Sequence, residues 1–303
     1  MNTTESPIYD VQSTTRVRTN TVGIHALVWV GGWSADEARH AIESTKRAGF
    51  DLIELAALDP ASFDVDLTAQ LLKEHDLQVA VSLGLAPETD VSSEDLDCVR
   101  RGRALLEQAL SLARDVGATY LGGVIFSKLG RYTAPVTERG RANSVESIGW
   151  LADKAAASGI TLGLEFVNRY ESNVLNTTAQ TLDFITEVDR PNVMAHLDVY
   201  HMNIEEESFT AAVNAASEAG RLGYVHLGES HRGQLGTGSV PFDEFFTALD
   251  AVDYRGTLTF ESFSSQVVNP TLSSNLAIWR NTWTDGMELA TRARSFIRER
   301  FGA

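Results

Sequence analysis

The sequence has a single cysteine, Cys98, among its 303 residues, so no disulfide can form within the chain. We interpret Cys98 as a small residue in a helix, since it lies in the helix-like run EDLDCVRRGRALLEQ. Basic residues are also few: 25 Lys and Arg stand against 41 Asp and Glu, which gives a net charge of −16. Such a charge repels phosphate backbones, so nucleic acid is not expected as a partner.

Long apolar runs are lacking as well. Charged residues interrupt every apolar run within about ten residues, whereas a membrane helix needs roughly 20. Residues 1–21 are rich in Thr and contain no apolar run suited to a secretory signal, so we interpret them as a disordered leader. Because no linker-like stretch divides residues 22–303, we predict one catalytic domain there, in a soluble cytoplasmic protein without membrane contact.

The rest of the chain alternates between β-rich segments and segments of helical period. Amphipathic runs such as 35–49, 145–159 and 242–256 place apolar residues every three or four positions. Eight such strand–helix units are typical of a single (β/α)8 TIM barrel. The predicted strands span 22–30, 51–55, 77–83, 119–125, 160–166, 193–198, 222–228 and 257–262.

Four successive predicted strands in the second half each end in a potential metal ligand: Glu165, Asp198, His226 and Glu261. The loops after the strands build the active site of such barrels, so these side chains should converge at one mouth. A polar residue at one strand end is usually a loop hydrogen-bonder, but four in four successive units argue against coincidence. Three carboxylates and one imidazole favour Mn²⁺, Mg²⁺ or Co²⁺ over structural zinc.

Such a metal site would suit proton transfer on a hydroxyketone. Four protein ligands on a six-coordinate ion leave two positions for a carbonyl oxygen and its neighbouring hydroxyl. Polarisation of the carbonyl would stabilise a cis-enediolate, which makes the hydrogen on the carbon between the two oxygens acidic enough for a carboxylate to remove.

Long stretches of the sequence carry a family resemblance: LEFVNRYESNVLNT, HLDVYHMNIEEESF, VHLGESHRGQLGTGSVPFDEFF, GTLTFESF and IWRNTW. From about Val22 to the C-terminus the chain resembles the ketose 3-epimerases that act on D-tagatose, D-allulose or L-ribulose, within the xylose-isomerase-like barrels. The segment FSKLGRYTAP, around Leu129, is closer to the L-ribulose and D-allulose type than to the D-tagatose type. The resemblance implies a metal-dependent epimerase of free ketohexoses or ketopentoses (an isomerase) that forms a homodimer or homotetramer.

The resemblance also implies specific roles for the predicted ligands. Glu165, Asp198, His226 and Glu261 would bind Mn²⁺, with Co²⁺ or Mg²⁺ as alternatives. Glu165 and Glu261 would be the acid/base pair as well, one removing the C3 proton and the other returning a proton to the opposite face. A single base would return the proton to the face that it came from, so inversion needs two.

Three further residues match substrate-binding positions of the family: Glu171, His201 and Arg232. Each also has an ordinary alternative. Glu171 could be a solvated loop carboxylate, His201 could cap a helix, and Arg232 could be a surface cation or a partner of Glu229. Two more candidates, His25 and Trp29, rest on their barrel position alone, and as aromatic residues of the first predicted strand they could equally be core.

Other functions remain open on the sequence. An aldose–ketose isomerase would use the same metal and enediolate, with the proton moved between C1 and C2. A lyase or epimerase of 3-keto-glycosides could share the barrel and the four ligands. A non-catalytic sugar-binding barrel would leave the paired glutamates without a purpose. A DNA-repair endonuclease on a related barrel would need a His-rich multi-zinc set and a basic surface, which the sequence lacks.

Overall fold

The computed structural model describes residues 19–303, which form a closed barrel of eight parallel strands in the order β1 to β8. This confirms the predicted (β/α)8 architecture. Register pairs run around the whole ring, from Gly23 opposite Leu52 to Ile24 opposite Phe260. The strands are β1 Val22–His25, β2 Leu52–Ala56, β3 Gln78–Leu85, β4 Tyr120–Lys128, β5 Thr161–Glu165, β6 Val193–Asp198, β7 Leu222–Leu227 and β8 Thr257–Phe260.

Helices cover the outside of the barrel. Their starts follow ordinary capping chemistry: Ser34 accepts the backbone N–H of Glu37 while Glu37 accepts that of Ser34. One short helix, α6, begins directly after Asp198, and the Asp198 side chain caps it. The helices are α1 Ala35–Arg47, α2 Val65–Glu74, α3 Leu96–Asp115, α4 Glu138–Ala157, α5 Thr178–Val188, α6 Val199–Glu205, α7 Phe209–Glu218, α8 Phe242–Ala251, α9 Pro270–Asn275 and α10 Gly286–Phe301.

The first strand differs from the prediction. It ends at His25 rather than continuing to residue 30, because Ala26–Val28 turn into a short 3-10 helix. The backbone N–H of Leu27 is satisfied by the His25 ring, which stabilises this turn. The error matters for the site, because it changes where Trp29 lies.

The predicted leader over residues 1–21 lies mostly outside the described residues. Of the three that are described, Asn20 is buried, and its side-chain amide donates to the backbone carbonyls of Tyr254 and Gly256. The backbone oxygen of Thr21 accepts the N–H of Leu258 in β8. Contact with the barrel therefore begins before Val22. Within residues 19–303, none of the helices combines the length and apolar character needed to cross a membrane.

The fold has an apolar and a polar packed region. Between the strands and the surrounding helices, apolar side chains form a continuous core. Inside the ring, however, aromatic and polar side chains fill the centre, with Tyr120 stacked on Tyr224 at a ring distance of 4.2 Å. Gly163 on β5 makes room for them, since a Cβ there would lie 1.7 Å from the Tyr120 hydroxyl. This polar interior supports the site at the carboxyl ends of the strands.

Candidate metal centre and active site

The four predicted metal ligands lie together at the carboxyl ends of β5 to β8. Each of Glu165, Asp198, His226 and Glu261 offers one oxygen or nitrogen, and these four atoms all lie within 4.8 Å of one another. The His226 Nδ1 atom is 3.4 Å from Glu165 Oε1 and 3.5 Å from Glu261 Oε1. All four residues are buried. The structure thus brings together side chains that are up to 96 positions apart in sequence.

The His226 ring is oriented as a metal ligand would be. Its Nε2 atom lies 2.9 and 3.0 Å from the two oxygens of Glu54, so Nε2 carries a proton that Glu54 accepts. Its Nδ1 atom is buried and has no hydrogen-bond partner, yet it points at the carboxylates. A buried, unpartnered ring nitrogen facing three carboxylates fits a divalent cation, which would neutralise the acidic cluster and satisfy Nδ1.

Burial and charge move the pKa values of the cluster in different directions. Burial raises the pKa of Asp198 to about 8, although Arg232 opposes the shift. Burial likewise raises the pKa of Glu165. Burial acts in the same sense on Glu261, but the charges of His226 and Arg232 outweigh it and hold the pKa of Glu261 below its usual value. The two glutamates therefore differ in proton affinity.

His201 lies on α6 and faces the cluster in a fixed tautomer. Its Nδ1 atom faces both the backbone N–H and the side-chain amide of Asn168, at 3.0 and 2.9 Å. The proton of the neutral ring must therefore be on Nε2, which lies 3.6 Å from Asp198 and 4.0 Å from Glu165. Burial lowers the pKa of His201 well below its usual value, so the ring is neutral beside the cluster, and its Nε2 atom also lies 3.3 Å from Arg232 Nη2.

Arg232 is not the partner of Glu229 that its sequence position offered as an alternative. Its guanidinium donates to Asp198 and Glu261 and lies 3.7 Å above the Tyr200 ring. The Phe263 ring also contacts this guanidinium, with 4.9 Å between the ring centre and Arg232 Cζ. The planar guanidinium is thus held between aromatic rings with its donors directed at the cluster.

Glu229 instead holds the loop that carries Arg232. It is buried and accepts the backbone N–H groups of Ser230, Gly236 and Val240. These bonds fix the loop in which Arg232 adopts a left-handed backbone conformation, with φ of 60°. The carboxylate next to Arg232 in sequence therefore shapes the loop without facing the cluster.

Glu171 lines a cavity shared with Tyr200, Arg232 and Phe263. Its carboxylate accepts the Asn168 side-chain amide at 2.8 Å. Burial raises the pKa of Glu171, and Arg232 counteracts this. The loop after β5 thus directs Glu171 towards the mouth of the barrel, in a partly buried position rather than a solvated one.

His25 and Trp29, the candidates based on barrel position alone, lie in different parts of the structure. His25 lines a cavity that also includes Glu165, Glu261 and Phe263, so it lies beside the cluster. Trp29 does not: its indole N–H donates to Thr45 on α1, and its ring is part of the core. Because β1 ends four residues earlier, Trp29 packs between the barrel and the helix layer. The structure does not bring Trp29 into the cluster, and its contact with a substrate stays a prediction.

Several buried polar residues under the cluster were not singled out from the sequence. Glu54 on β2 accepts from His226 and Tyr224, and His196 on β6 contacts the Tyr120 hydroxyl at 3.0 Å. His196 also forms a candidate ligand group with Glu165 and His226. The signal for Glu54 was present: a carboxylate in the middle of the apolar strand DLIEL has to be paired inside the barrel.

A closed parallel barrel with a buried carboxylate–imidazole cluster at its carboxyl-terminal mouth has the architecture of a barrel enzyme, and the cluster could hold a metal ion. The family model for the xylose isomerase-like TIM barrel matches residues 42–293. L-ribulose 3-epimerase of Methylomonas sp. (strain DH-1) is 52% identical over 92% of this chain and 97% of its own length. The ketose 3-epimerase of Arthrobacter globiformis is 50% identical over 93% and 97%.

A solved structure gives the same result. The D-allulose 3-epimerase from Methylomonas sp. in complex with D-allulose has a TM-score of 0.91 and 52% identity, covering 93% of this chain and 98% of that one. The chain therefore belongs to the ketose 3-epimerases of the xylose isomerase-like TIM barrel family. It is an enzyme of the isomerase class, as the resemblance predicted.

Proposed function

We propose that the enzyme inverts C3 of a free ketohexose or ketopentose, with Glu165 and Glu261 as its two acid/base groups. The supporting observation is that these glutamates, from β5 and from the residue after β8, face the same Nδ1 atom of His226 at 3.4 and 3.5 Å. Inversion at one carbon requires two proton-transfer groups that reach it from different sides. A pair of carboxylates carried by well-separated strands supplies that arrangement.

The cofactor that we propose is one divalent ion, Mn²⁺ foremost, with Co²⁺ or Mg²⁺ as substitutes. Glu165, Asp198, His226 and Glu261 would hold it, and a ligand set rich in oxygen with one imidazole suits these ions. When bound, the ion would supply Lewis-acid polarisation of the ketose carbonyl next to C3.

The proton chemistry rests on the unequal glutamates. The charges of His226 and Arg232 lower the pKa of Glu261 against the effect of burial, which favours its ionised, proton-accepting form. Burial raises the pKa of Glu165, which favours its protonated, proton-donating form. In one direction Glu261 takes the C3 proton to give the enediolate, and Glu165 delivers a proton to the other face. In the reverse direction the roles exchange, as microscopic reversibility requires.

The substrate oxygens would be held by the donors around the cluster. His201 presents Nε2–H, and Arg232 presents its guanidinium from between Tyr200 and Phe263. Glu171 can accept from a sugar hydroxyl in the adjoining cavity, and His25 lines the cavity that includes Glu165 and Glu261. These neutral and charged groups would fix which carbon of the sugar stands between the glutamates.

The preferred substrates that we propose are the D-allulose/D-fructose pair, D-tagatose and L-ribulose. Relatives at 50% identity or more bear the names L-ribulose 3-epimerase and ketose 3-epimerase. Beyond the cluster, the described residues that line the His25 cavity include no Lys or Arg, and Leu58, Leu129 and Leu276 contribute apolar surface. Lys128 is used locally, donating to the Arg131 carbonyl and covering Tyr132. A free sugar therefore fits the His25 cavity better than a sugar phosphate does.

Product analysis tests this function. Protein stripped with EDTA and then reloaded with Mn²⁺ is incubated with each ketose, and the sugars are separated by chromatography. We expect the C3 epimer to form only after reloading. Formation of an aldose instead would favour an aldose–ketose isomerase, and conversion of 3-keto-glycosides alone would favour the glycoside epimerases.

That the protein is a homodimer or homotetramer and that it is cytoplasmic both stay predictions. Light scattering of the purified protein would measure the number of subunits.

A further inference from the structure

A buried carboxylate that is not one of the proposed ligands lies directly behind the proposed metal site. Glu54 is in the middle of β2, is fully buried, and contacts the far side of the His226 ring through both of its oxygens. Its charge is unusual for a barrel interior, since an unpaired buried carboxylate is strongly unfavourable. Its pairing with His226 therefore needs an explanation beyond the proposed acid/base chemistry.

The direction of that hydrogen bond is forced. An ionised carboxylate only accepts hydrogen bonds, so the proton lies on His226 Nε2. Both oxygens of Glu54 lie within hydrogen-bond distance of Nε2, and one of them also accepts the Tyr224 hydroxyl, so the carboxylate is the acceptor in each of these contacts. With Nε2 bonded to Glu54, it is the Nδ1 atom of His226 that faces Glu165 and Glu261 and is placed to bind a metal.

Two hydrogen-bonded hydroxyl groups hold Glu54 in place. The Tyr224 hydroxyl donates to Glu54 at 2.9 Å and contacts the Thr259 hydroxyl at 2.6 Å. Since the Tyr224 proton is used on Glu54, the Thr259 hydroxyl must donate to Tyr224. Each member comes from a different strand, β2, β7 or β8, so the barrel itself fixes the carboxylate.

We propose that Glu54 is a positioning residue that selects the tautomer and orientation of His226 for metal binding, with Tyr224 and Thr259 as its supports. Outer carboxylates of this kind raise the basicity of a ligating imidazole and fix its ring, and their loss weakens metal binding roughly 10- to 100-fold. The inference rests on the proposed metal site. It adds that tight metal binding requires Glu54 as well as the four ligands.

The test compares three variants by titration calorimetry with Mn²⁺, the metal-free protein being checked for folding by its melting temperature. Glu54→Gln keeps the shape but can donate to His226 Nε2, which would place the ring proton on Nδ1. Tyr224→Phe removes one support of Glu54. Tyr120→Phe is the matched control: Tyr120 is also buried and its ring stacks on Tyr224, but its hydroxyl contacts His196 and not Glu54.

We expect Glu54→Gln to weaken Mn²⁺ binding by roughly 10- to 100-fold, Tyr224→Phe to weaken it by a smaller factor, and Tyr120→Phe to leave it unchanged. The Mn²⁺ electron paramagnetic resonance signal of Glu54→Gln should also differ from that of the wild type. Unchanged affinity in Glu54→Gln overturns the proposal, and if that variant does not fold, unchanged affinity in Tyr224→Phe does so. A wild-type protein that binds no Mn²⁺ would refute the metal site itself.

Discussion

Replacing Glu261 by Gln removes a proton acceptor while changing the shape of the site very little. Glu261 is buried, pairs with Arg232, and lies 3.5 Å from the Nδ1 atom of His226. A carboxamide has nearly the same volume and can still offer an oxygen to a metal, so the fold and much of the metal affinity should survive. It cannot take a proton from carbon, however, so the variant isolates the acid/base role.

The expected effect on rate is large. A positioned general base or acid contributes typically about 10²- to 10⁴-fold, which corresponds to about 2.7 to 5.4 kcal/mol of transition-state stabilisation. We therefore expect kcat for epimerisation to fall by about that factor in Glu261→Gln with saturating Mn²⁺. Metal affinity should fall only modestly, about tenfold or 1.4 kcal/mol, because one anionic oxygen is exchanged for a neutral one.

The assay uses D₂O to follow each face of the sugar separately. In Glu261→Gln the remaining Glu165 can still remove and return a proton on its own face, so one C3 epimer should gain deuterium without being inverted. Glu165→Gln should label only the other epimer. Asp198→Asn is the control, since Asp198 is a proposed ligand without a proton-transfer role: excess Mn²⁺ should restore its activity but not that of the glutamine variants.

The outcomes separate the two roles of Glu261. Inversion by Glu261→Gln at the wild-type rate would refute the two-base assignment. Recovery of that variant by excess Mn²⁺ would show that Glu261 acts only as a ligand. Deuterium exchange of both epimers in one variant would place both proton transfers on the remaining glutamate.

Three further predictions concern the groups around the cluster. Because burial raises the pKa of Asp198 to about 8, its proton competes with metal, and Mn²⁺ affinity measured by calorimetry should tighten as pH rises towards that value; a flat profile would contradict this. His201→Gln should raise KM about tenfold without weakening Mn²⁺ binding, and an unchanged KM would exclude it as a substrate donor. Arg232→Lys should lower kcat/KM roughly tenfold because Lys lacks the planar fork between Tyr200 and Phe263, whereas equal activity would show that charge alone suffices.

Much of the fold and of the cluster follows from the sequence because the barrel obeys a simple periodicity. Each strand ends near the same mouth, so a ligand-type residue at the end of β5, β6 or β7 must face the next. Glu165, Asp198 and His226 needed no other information to be placed together. The closed barrel of β1 to β8 confirms the (β/α)8 prediction, which is based on strand and helix periods that alternate from residue 22 onwards.

Local turns and hydrogen bonds determine features of the structure that the periodicity of the sequence does not predict. β1 was predicted to continue through Trp29, but a 3-10 turn after His25 redirects the chain and buries that indole against α1. The contacts of Glu54 and Asn168 were not foreseen, because their partners lie 172 and 33 positions away on other elements. Residues that act through a neighbour carry no spacing pattern of their own.

The most direct test of the central claim is the position of deuterium after turnover in D₂O. Mn²⁺-loaded enzyme is incubated with D-fructose, D-tagatose and L-ribulose, and the sugars are examined by NMR. Two glutamates acting on C3 predict the C3-epimeric ketose with deuterium at C3 and none at C1. Label at C1 or C2 together with an aldose would contradict the account and show that the proton moves between those carbons instead.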